Sequence, residues 1–322
     1  MADLSRRQLA AATLAATAAA SGAQAQAPAR PVRMIVGFAA GGPADLVARD
    51  LARQMEPSLE SQPVVVENQP GGTGVVAINT TARATPDGTT LLLAASGNVV
   101  LQPLVSRAPI AVDSLAPVGL VCTSPHLLVV SGQLPVRNLQ EFIAYAKSKP
   151  GEVNFANAGT GGVAHLGAVL FRNAAGIEGT DVPYRGTAAL TGDLMAGRVE
   201  AAFSSIPSLL PLVASGQLRA LGLSAPSGAA SVKDVPVIGS VLPGFEYTTW
   251  YGLYVAAATP RPAVDRLNAA LRNAVRDAGF RQRMEGQGVD LHANSPEELT
   301  ALMQEESAKW LRIVREAKIE ID

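Results

Sequence analysis

The pattern of apolar and polar positions along the chain predicts a repeated unit of strand, loop and helix. Residues 32–38 (VRMIVGF) form a short apolar run, and the segment that follows places Val47, Leu51 and Met55 four positions apart. A short apolar run is typical of a buried strand, whereas the four-residue spacing puts one apolar face on a helix. Pro43 and Asp45 suit the first turn of that helix. The pattern predicts a strand, a glycine turn and a helix.

The same unit recurs in the next sixty residues. Strands are predicted at 63–68 (PVVVEN) and 89–95 (TTLLLAA), with a glycine turn at 70–74 and a helix at 75–84 between them. Strands that alternate with helices in this way indicate a mostly parallel sheet with helices on its faces.

The alternation then starts again. Asn138 and Glu141 form a capping-box-like start to a helix, and a strand at 153–156 leads through a glycine-rich loop into another helix. The runs TDVPYRG, VEAAFSS and LRALGLS supply three further short strands. These elements predict a second domain of the same class.

Two long apolar segments bracket this second domain. Each of them, 115–131 and 247–259, is predicted as a strand that passes from one domain to the other, and the C-terminal helices are predicted to return to the first domain. Two crossings make a hinge, and ligands commonly bind in the cleft between hinged domains. We therefore predict an α/β protein with domain 1 at 28–125 and 252–322, domain 2 at 126–251, and a ligand cleft between them.

Residues 1–27 have the features of a cleavable signal peptide. A basic stretch with Arg6 and Arg7 precedes an apolar run and the small-residue sequence AQAQA. SRRQLA resembles a twin-arginine signal, and an ordinary Sec signal is the alternative. No later segment reaches about 18 uninterrupted apolar residues. We expect a soluble protein exported to the periplasm.

Charge and cysteine content exclude several classes of function. Without residues 1–27 the chain keeps 24 basic and 26 acidic residues, which offers no positive surface for nucleic acid or an anionic membrane. An anion must therefore be held locally, by hydrogen bonds from particular loops. Cys122 is the only cysteine, so a disulfide within the chain, cysteine zinc ligation and a CxxC pair are impossible. We expect no metal and no cofactor.

The first glycine turn, GFAAGGP, is a candidate anion cradle, because amides at a helix start are unpaired donors. A phosphate site is the competing interpretation. However, no GxxxxGK[ST] occurs, and Gly37, Gly41 and Gly42 are not spaced as GxGxxG. Glu67 resembles the ribose-binding acid of a dinucleotide fold, but the glycine spacing does not support that assignment.

Catalytic motifs are missing from the sequence. It contains no GxSxG and no HExxH, and its three histidines, His126, His165 and His292, are remote in sequence from obvious partners. His165 could be a base, a donor on the cleft wall or a packing residue. His126 and His292 are interpreted as structural. We predict no catalytic residue and no enzyme activity.

Short motifs in a fixed order resemble one known family. The start PVRMIVGFAAGGPAD and the later PVVVENQPGGTG, ANAGTGGVAHL, VPYRG and LPGFEYTTWYGLYVAAATPRPAVDRLNAAL are similar to the periplasmic solute receptors of tripartite tricarboxylate transporters, the Bug or TctC-type proteins. The resemblance covers nearly the whole mature chain, with Gly37 where relatives usually carry proline. It implies a Venus flytrap, the periplasmic-binding-protein fold, that closes on a small carboxylate.

The resemblance also implies which residues line the cleft. On the domain-one wall these are Phe38, Ala40, Gly41, Gly42, Asp45, Ser96, Gly97 and Asn98. On the domain-two wall they are Asn157, Thr160, Gly161, His165, Tyr184, Arg185, Gly186 and Thr187. Three of them have another interpretation: Asp45 as a helix cap, Tyr184 as a packing residue and Arg185 as a surface charge.

Ser204 marks a departure from the family pattern. Many relatives carry an aspartate there, which would attract an ammonium group and repel an anionic ligand tail. Serine predicts a preference for acids without an amino group. The alternative is that Ser204 ends a strand outside the cleft.

The combined prediction is a monomeric receptor that binds a small organic acid and delivers it to membrane permease subunits. The acid is expected to be a dicarboxylate, a tricarboxylate or an aromatic carboxylate. One alternative is an exported α/β enzyme acting on a phosphorylated or nucleotide substrate. Another is a sensor partner of a membrane kinase.

Overall fold

The computed structural model describes residues 30–106, 109–184, 187–226 and 229–316. The predicted signal peptide, residues 1–27, lies outside these ranges. Within them the chain forms two β-sheets, one of six strands and one of five, with helices packed on both. No helix in these ranges combines the length and apolar character needed to cross a bilayer.

The strands divide between the two sheets in sequence blocks. In chain order they are β1 (Val32–Val36), β2 (Val64–Asn68), β3 (Thr90–Ala95), β4 (Leu115–Ser124), β5 (His126–Ser131), β6 (Asn154–Asn157), β7 (Thr180–Pro183), β8 (Ala201–Ser205), β9 (Leu218–Leu223), β10 (Thr249–Ala256) and β11 (Asp290–Leu291). The strand order is β11-β4-β10-β3-β1-β2 in the first sheet and β7-β6-β8-β5-β9 in the second.

The α-helices connect and cover these strands. They are α1 (Pro43–Met55), α2 (Val75–Ala82), α3 (Gln102–Val105), α4 (Leu139–Lys147), α5 (Val163–Ala175), α6 (Thr187–Met195), α7 (Ile206–Ala214), α8 (Arg261–Ala274), α9 (Ala278–Glu285) and α10 (Pro296–Glu316). A π-helical segment, Gly97–Leu101, leads directly into α3. The α/β fold with two domains is the one that the sequence predicts.

Parallel pairing is found where strand and helix alternate in sequence. β1 pairs in parallel with β2 and β3, and β6 pairs in parallel with β7 and β8. The strands next to the crossings differ, because β10 runs antiparallel to β3 and β4, and β5 antiparallel to β8 and β9. A chain that enters a sheet from the other domain needs no crossover helix, so antiparallel pairing is open to it.

The apolar segment 115–131 is two strands and not one. β4 ends at Ser124 in the first sheet, and β5 begins at His126 in the second. Pro125 lies between them and lacks the N–H that a continuous ladder requires. The return crossing ends where β10 begins to pair at Thr249, opposite Ser124. Residues 249–251, which the predicted boundary assigned to domain 2, therefore pair in the first sheet.

Ser224 ties the two crossing segments together. The His126 N–H donates to Ser224 Oγ at 2.8 Å, and the Ser224 hydroxyl donates to the Tyr247 carbonyl at 2.7 Å. The Ser224 N–H donates to the His126 carbonyl, and the Tyr247 N–H to the Ser224 carbonyl. Ser224 is fully buried, so these bonds are shielded from water. The crossings form one hydrogen-bonded unit.

The C-terminal helix α10 packs against both domains, whereas the sequence suggested a return to domain 1 only. At its start Leu299 is buried near Gly252 of β10. Near its end the Trp310 ring meets the Tyr247 ring with centroids 6.2 Å apart. Tyr247 in turn stacks edge-on against Phe203 and Phe245 of the second domain. Helix α10 therefore connects the two cores beside the crossings.

Candidate ligand-binding cleft

A cavity of about 300 Å³ lies between the two sheets. It is partly open to solvent, and the crossing segments form part of its wall. Its described lining consists of Phe38, Thr73, Ala95, Gly97, Asn98 and Gln102 from the first domain, Ala158, Gly159, Thr160, Gly162, Val163 and Ala164 from the second, and His126, Thr249 and Tyr251 at the crossings. This lining contains no Asp, Glu, Lys or Arg.

Two helical starts, one from each domain, face the cavity. Helix α5 begins at Val163 after Gly162, which provides no side-chain cap. The other start is the π-helical segment at Gly97, and a β-carbon added to Gly97 would lie 3.4 Å from Val163 Cγ2. The glycine thus allows the two domains to approach closely here. Unpaired amides and the positive end of a helix favour an anion at such a position.

The Asp45 side chain is hydrogen-bonded to the first glycine loop. Its carboxylate accepts hydrogen bonds of 2.9 Å from the Gly41 amide, from Arg49 Nε and from Asn68 Nδ2. Burial alone would raise the pKa of Asp45, but the bonds from Arg49, Gly41 and Asn68 outweigh it and hold the pKa below its usual value. The Asp45 carboxylate and the Gly41 amide are therefore paired with each other and do not line the cavity.

The second domain repeats this loop. The sequence Gly-Gly-x-Ala-x-Leu occurs at 41–46 and at 161–166, with Asp45 and His165 in the same place. Gly41 and Gly161 both have a positive φ, 82° and 76°, and in each case the following glycine caps the helix. The Gly161 amide donates to His165 Nδ1 at 3.0 Å. His165 therefore does in domain 2 what Asp45 does in domain 1.

Both nitrogens of the His165 ring have partners within domain 2. Because Nδ1 accepts a hydrogen bond, the hydrogen network assigns the ring proton to Nε2. Nε2 lies 3.6 Å from the carboxylate of Asp181, which also receives a 2.6 Å bond from Arg172. The ring is 6% exposed and does not line the cavity. A role as base toward a ligand finds no free lone pair here.

Asn98 lines the cavity, but its side-chain amide is hydrogen-bonded to the main chain of domain 1. Asn98 Oδ1 accepts the Ala95 N–H at 3.1 Å, and Nδ2 donates to the Thr73 carbonyl at 2.6 Å. Ser96, by contrast, is 2% exposed and accepts the Trp250 N–H at 3.4 Å. Of the predicted residues after β3, Gly97 and Asn98 face the cavity and Ser96 faces the core.

Gly37 serves close packing between two loops of domain 1. A β-carbon added there would lie 3.0 Å from Gly74 Cα. Gly37 is also buried, so the surrounding residues restrict its backbone conformation. At this position, where relatives usually carry proline, the two loops approach so closely that a side chain would obstruct the contact.

Several other predicted residues are not part of the described cavity lining. The Tyr184 hydroxyl donates to Asp193 at 2.7 Å, and the Ser204 hydroxyl is 3.4 Å from that of Thr187. Arg185 and Gly186 lie outside the described residues. Among the predicted residues, the structure brings Phe38, Gly97, Asn98 and Thr160 to the cavity lining, whereas Ala40, Gly41, Gly42, Asp45, Ser96, Asn157, Gly161, His165, Tyr184, Thr187 and Ser204 are not part of it.

The crossings contribute residues that the sequence analysis missed. His126, interpreted there as structural, lies at the cavity with Thr249 Oγ1 3.0 Å from its Nε2 and the Tyr247 hydroxyl 3.3 Å from its Nδ1. Burial lowers the pKa of His126 to about 4. A polar residue directly after a proline break in a long apolar run was the available signal. Gln102 and Thr73 had no comparable signal.

The chemistry of the lining suits binding. Its polar groups are threonine hydroxyls, two amides, one tyrosine, one imidazole and backbone amides. The Thr249–His126 pair lacks a carboxylate to orient the imidazole, since the other nitrogen faces Tyr247. Across the described residues no group of three His, Cys, Asp or Glu side chains is placed to hold a metal ion.

Comparison with known proteins identifies the family of this chain. The profile of TctC, the tripartite tricarboxylate transporter family receptor, matches residues 47–319. The fold is similar to that of periplasmic binding protein BugD, at 32% identity, TM-score 0.79 and coverage of 91% of this chain and 99% of BugD.

Two similar structures contain acids. One is a Rhodopseudomonas palustris protein with adipate, at 28% identity, TM-score 0.82 and coverage of 91% and 99% of the two chains. The other is MatC from the same species with bound malate, at 32% identity, TM-score 0.77 and coverage of 89% and 100%. Since the family profile spans most of the sequence, the chain belongs to the tripartite tricarboxylate transporter receptors, a family of periplasmic solute-binding proteins.

Proposed function

We propose that the protein binds a small organic dicarboxylate in the cleft and delivers it, unchanged, to the membrane subunits of a tripartite tricarboxylate transporter. One observation carries the proposal: a cavity between two domains has helix starts and hydroxyls on its wall and no acidic side chain among its described lining residues. Adipate and malate in the two similar structures support this ligand class.

The carboxylate is expected to bind through main-chain donors. The amides of the first turn of α5 have no partners within the helix, and Val163 and Ala164 of that turn line the cavity. Thr160 and Thr249 add hydroxyl groups, and Phe38 adds apolar surface for the carbon chain. Because Ser204 lies outside this lining, the preference for acids without an amino group rests on the lack of a carboxylate among the described lining residues, which leaves an ammonium group without a partner.

Closure of the cleft is part of the proposal. A ligand that touches both walls binds the closed state better and shifts the population toward it. The hydrogen-bonded crossings at Ser224 give the pivot, and the Gly97–Val163 approach gives the meeting point of the domains. The protein acts as a monomer in the periplasm after removal of residues 1–27.

Titration calorimetry with malate, adipate and aspartate tests the binding. We expect saturable 1:1 binding of at least one of the two dicarboxylates and weaker binding of aspartate. Gly97→Val should lower affinity at least tenfold, because the added side chain fills the gap to Val163. Gly192→Val is the matched control, since a β-carbon at Gly192 in α6 meets nothing within 4 Å. Equal affinities of the two variants would place the ligand elsewhere.

Mass spectrometry of the ligand separates the receptor from an exported enzyme. After incubation with the purified protein, the bound acid should be recovered with unchanged mass. Formation of a product in proportion to protein and time would support the enzyme instead. A sensor role would show as a kinase response to the acid that persists in cells lacking the permease subunits, whereas a receptor role predicts loss of uptake without them.

A further inference from the structure

His126 is the only titratable nitrogen base on the described cavity lining. Its side chain comes from the first residue of β5, directly after Pro125, and is 6% exposed. The backbone N–H and carbonyl of His126 are both bonded to Ser224. The ring therefore has a fixed place at the pivot of the two domains, where a ligand in the cavity meets both crossings.

The two ring nitrogens make a hydrogen-bond arrangement that depends on protonation. Nε2 is 3.0 Å from Thr249 Oγ1, and Nδ1 is 3.3 Å from the Tyr247 hydroxyl. A neutral imidazole has one N–H and one lone pair, so one of the two hydroxyls can donate to the ring. An imidazolium donates from both nitrogens. The Thr249 hydroxyl hydrogen is then always free for an acceptor in the cavity, which Thr249 also lines, whereas beside the neutral ring it is free only when the ring proton is on Nε2.

Among the described residues, no charged side chain lines either of the cavities that the His126 ring borders. The Tyr247 hydroxyl contacts the ring and Tyr251 lines the same cavity, and burial raises the pKa of both phenols, so both stay neutral. His126 also borders a second, smaller cavity, where α1, β8 and the segment before β11 present Pro43, Val47, Ser205 and Val289. Burial lowers the pKa of His126 to about 4, so the ring is neutral near pH 7 while the cleft holds no anion.

We propose, on the basis of the function proposed above, that His126 takes up a proton when the ligand carboxylate binds, and that Thr249 then donates its hydroxyl to that carboxylate. The imidazolium supplies a positive charge, which no other described side chain of the lining carries. It favours acids whose remaining atoms are neutral or anionic, and it repels the ammonium group of an amino acid. His126 thereby becomes a specificity residue of the cleft.

The sign of the pH dependence follows from linkage. A carboxylate beside the ring raises the pKa of His126 in the complex above its value in the free protein. Affinity must then increase as pH falls from the higher pKa to the lower one, by at most about tenfold per pH unit. Above the pKa of the complex, affinity should no longer depend on this group.

Calorimetry with malate and adipate, each at pH 6.0 and 7.0 in two buffers of different ionisation enthalpy, measures the proton uptake directly. At pH 7.0 both ligands are ionised, because free carboxyl groups have pKa values of about 4. We expect uptake that is larger at pH 6.0, and its loss in His126→Gln. His292→Gln is the matched control, because His292 is a half-buried histidine bonded to Thr123 outside the cavity.

Each result decides the proposal. Uptake in the wild type and in His292→Gln that is lost in His126→Gln supports it, and equal proton stoichiometry in wild type and His126→Gln overturns it. If His126→Gln does not fold, Thr249→Val keeps the ring and removes the hydroxyl. That variant should lose at least tenfold in affinity at pH 6.0, and unchanged affinity would overturn the proposal. Failure of both dicarboxylates to bind wild type contradicts the proposed function itself, and this inference with it.

Discussion

Replacement of Gly167 by alanine should destabilise the protein, although alanine is the better helix former. Gly167 lies in the middle of α5, and a β-carbon added there would be 2.1 Å from Cζ and 2.3 Å from the hydroxyl oxygen of Tyr247. The Tyr247 ring is 1% exposed and cannot swing into solvent. Phe203, Phe245 and Trp310 surround it at centroid distances of 5.7, 5.8 and 6.2 Å.

The magnitude comes from two opposing terms. Glycine to alanine within a helix stabilises by about 1 kcal/mol. Insertion of a methyl group into a packed core costs about 1–3 kcal/mol, and the upper end applies here because an enclosed aromatic ring meets the new carbon. The free energy of unfolding should therefore fall by about 2 kcal/mol. Displacement of Tyr247 also disturbs its contact with His126, so ligand affinity should fall as well.

Urea unfolding followed by circular dichroism measures the change, with Gly192→Ala as the control. Gly192 also lies inside a helix, α6, but a β-carbon there meets nothing within 4 Å. This variant should gain about 0.5–1 kcal/mol from helix propensity alone. Opposite signs for the two substitutions are the expected outcome. If Gly167→Ala is as stable as Gly192→Ala, the close contact between α5 and Tyr247 is not present in solution.

Asp45→Asn should lower the free energy of unfolding at pH 7 by about 1.5–3 kcal/mol, the range for hydrogen bonds to a charged group. The pKa of Asp45 is lower in the folded state than in the unfolded state, so its contribution to stability is present above the usual carboxyl pKa and is lost as pH falls through the folded value. Chemical unfolding measured from pH 7 to pH 3 should therefore show a shrinking difference in stability between wild type and variant. Tyr184→Phe should leave ligand affinity unchanged in calorimetry, because the Tyr184 hydroxyl is bonded to Asp193. A tenfold loss of affinity would show that Tyr184 contacts the ligand. Replacing Arg6 and Arg7 with lysine should retain the precursor in the cytoplasm if export follows the twin-arginine route, and fractionation that finds normal periplasmic protein would assign export to Sec.

Local sequence signals predicted those elements whose cause is local. The capping-box start at Asn138 is found as predicted, with the Glu141 N–H bonded to Asn138 Oδ1 at 2.9 Å and the Glu141 side chain reaching back to the Arg137 amide. The strand predicted at 153–156 is observed at Asn154–Asn157. Turn glycines and apolar periods act over a few residues, so the sequence carries them directly.

The sequence was less informative about how distant segments of the chain are arranged. The break at Pro125 was hidden inside one apolar run, because both halves are buried in their own sheets. The double contact of α10 depends on Trp310 meeting Tyr247, 63 positions earlier in the chain. Apolar periodicity indicates that a face is buried but not which domain buries it.

The site shows the same limit. The sequence identified the glycine loops, but the orientation of their groups depends on bonds such as Gly41 to Asp45 and Gly161 to His165, which turn polar groups away from the cavity. The pairing of His126 with Thr249 joins positions 123 residues apart. Comparison of the two Gly-Gly-x-Ala-x-Leu stretches would have indicated that Asp45 and His165 share one structural role.

A crystal structure of the purified protein with malate or adipate tests the central claim most directly. We predict density for the intact acid in the cavity between the sheets, with one carboxylate within hydrogen-bonding distance of the first-turn amides of α5, at Val163 and Ala164, and close to Thr249. Acid bound outside this cavity, or held there without contact to both domains, would contradict the account.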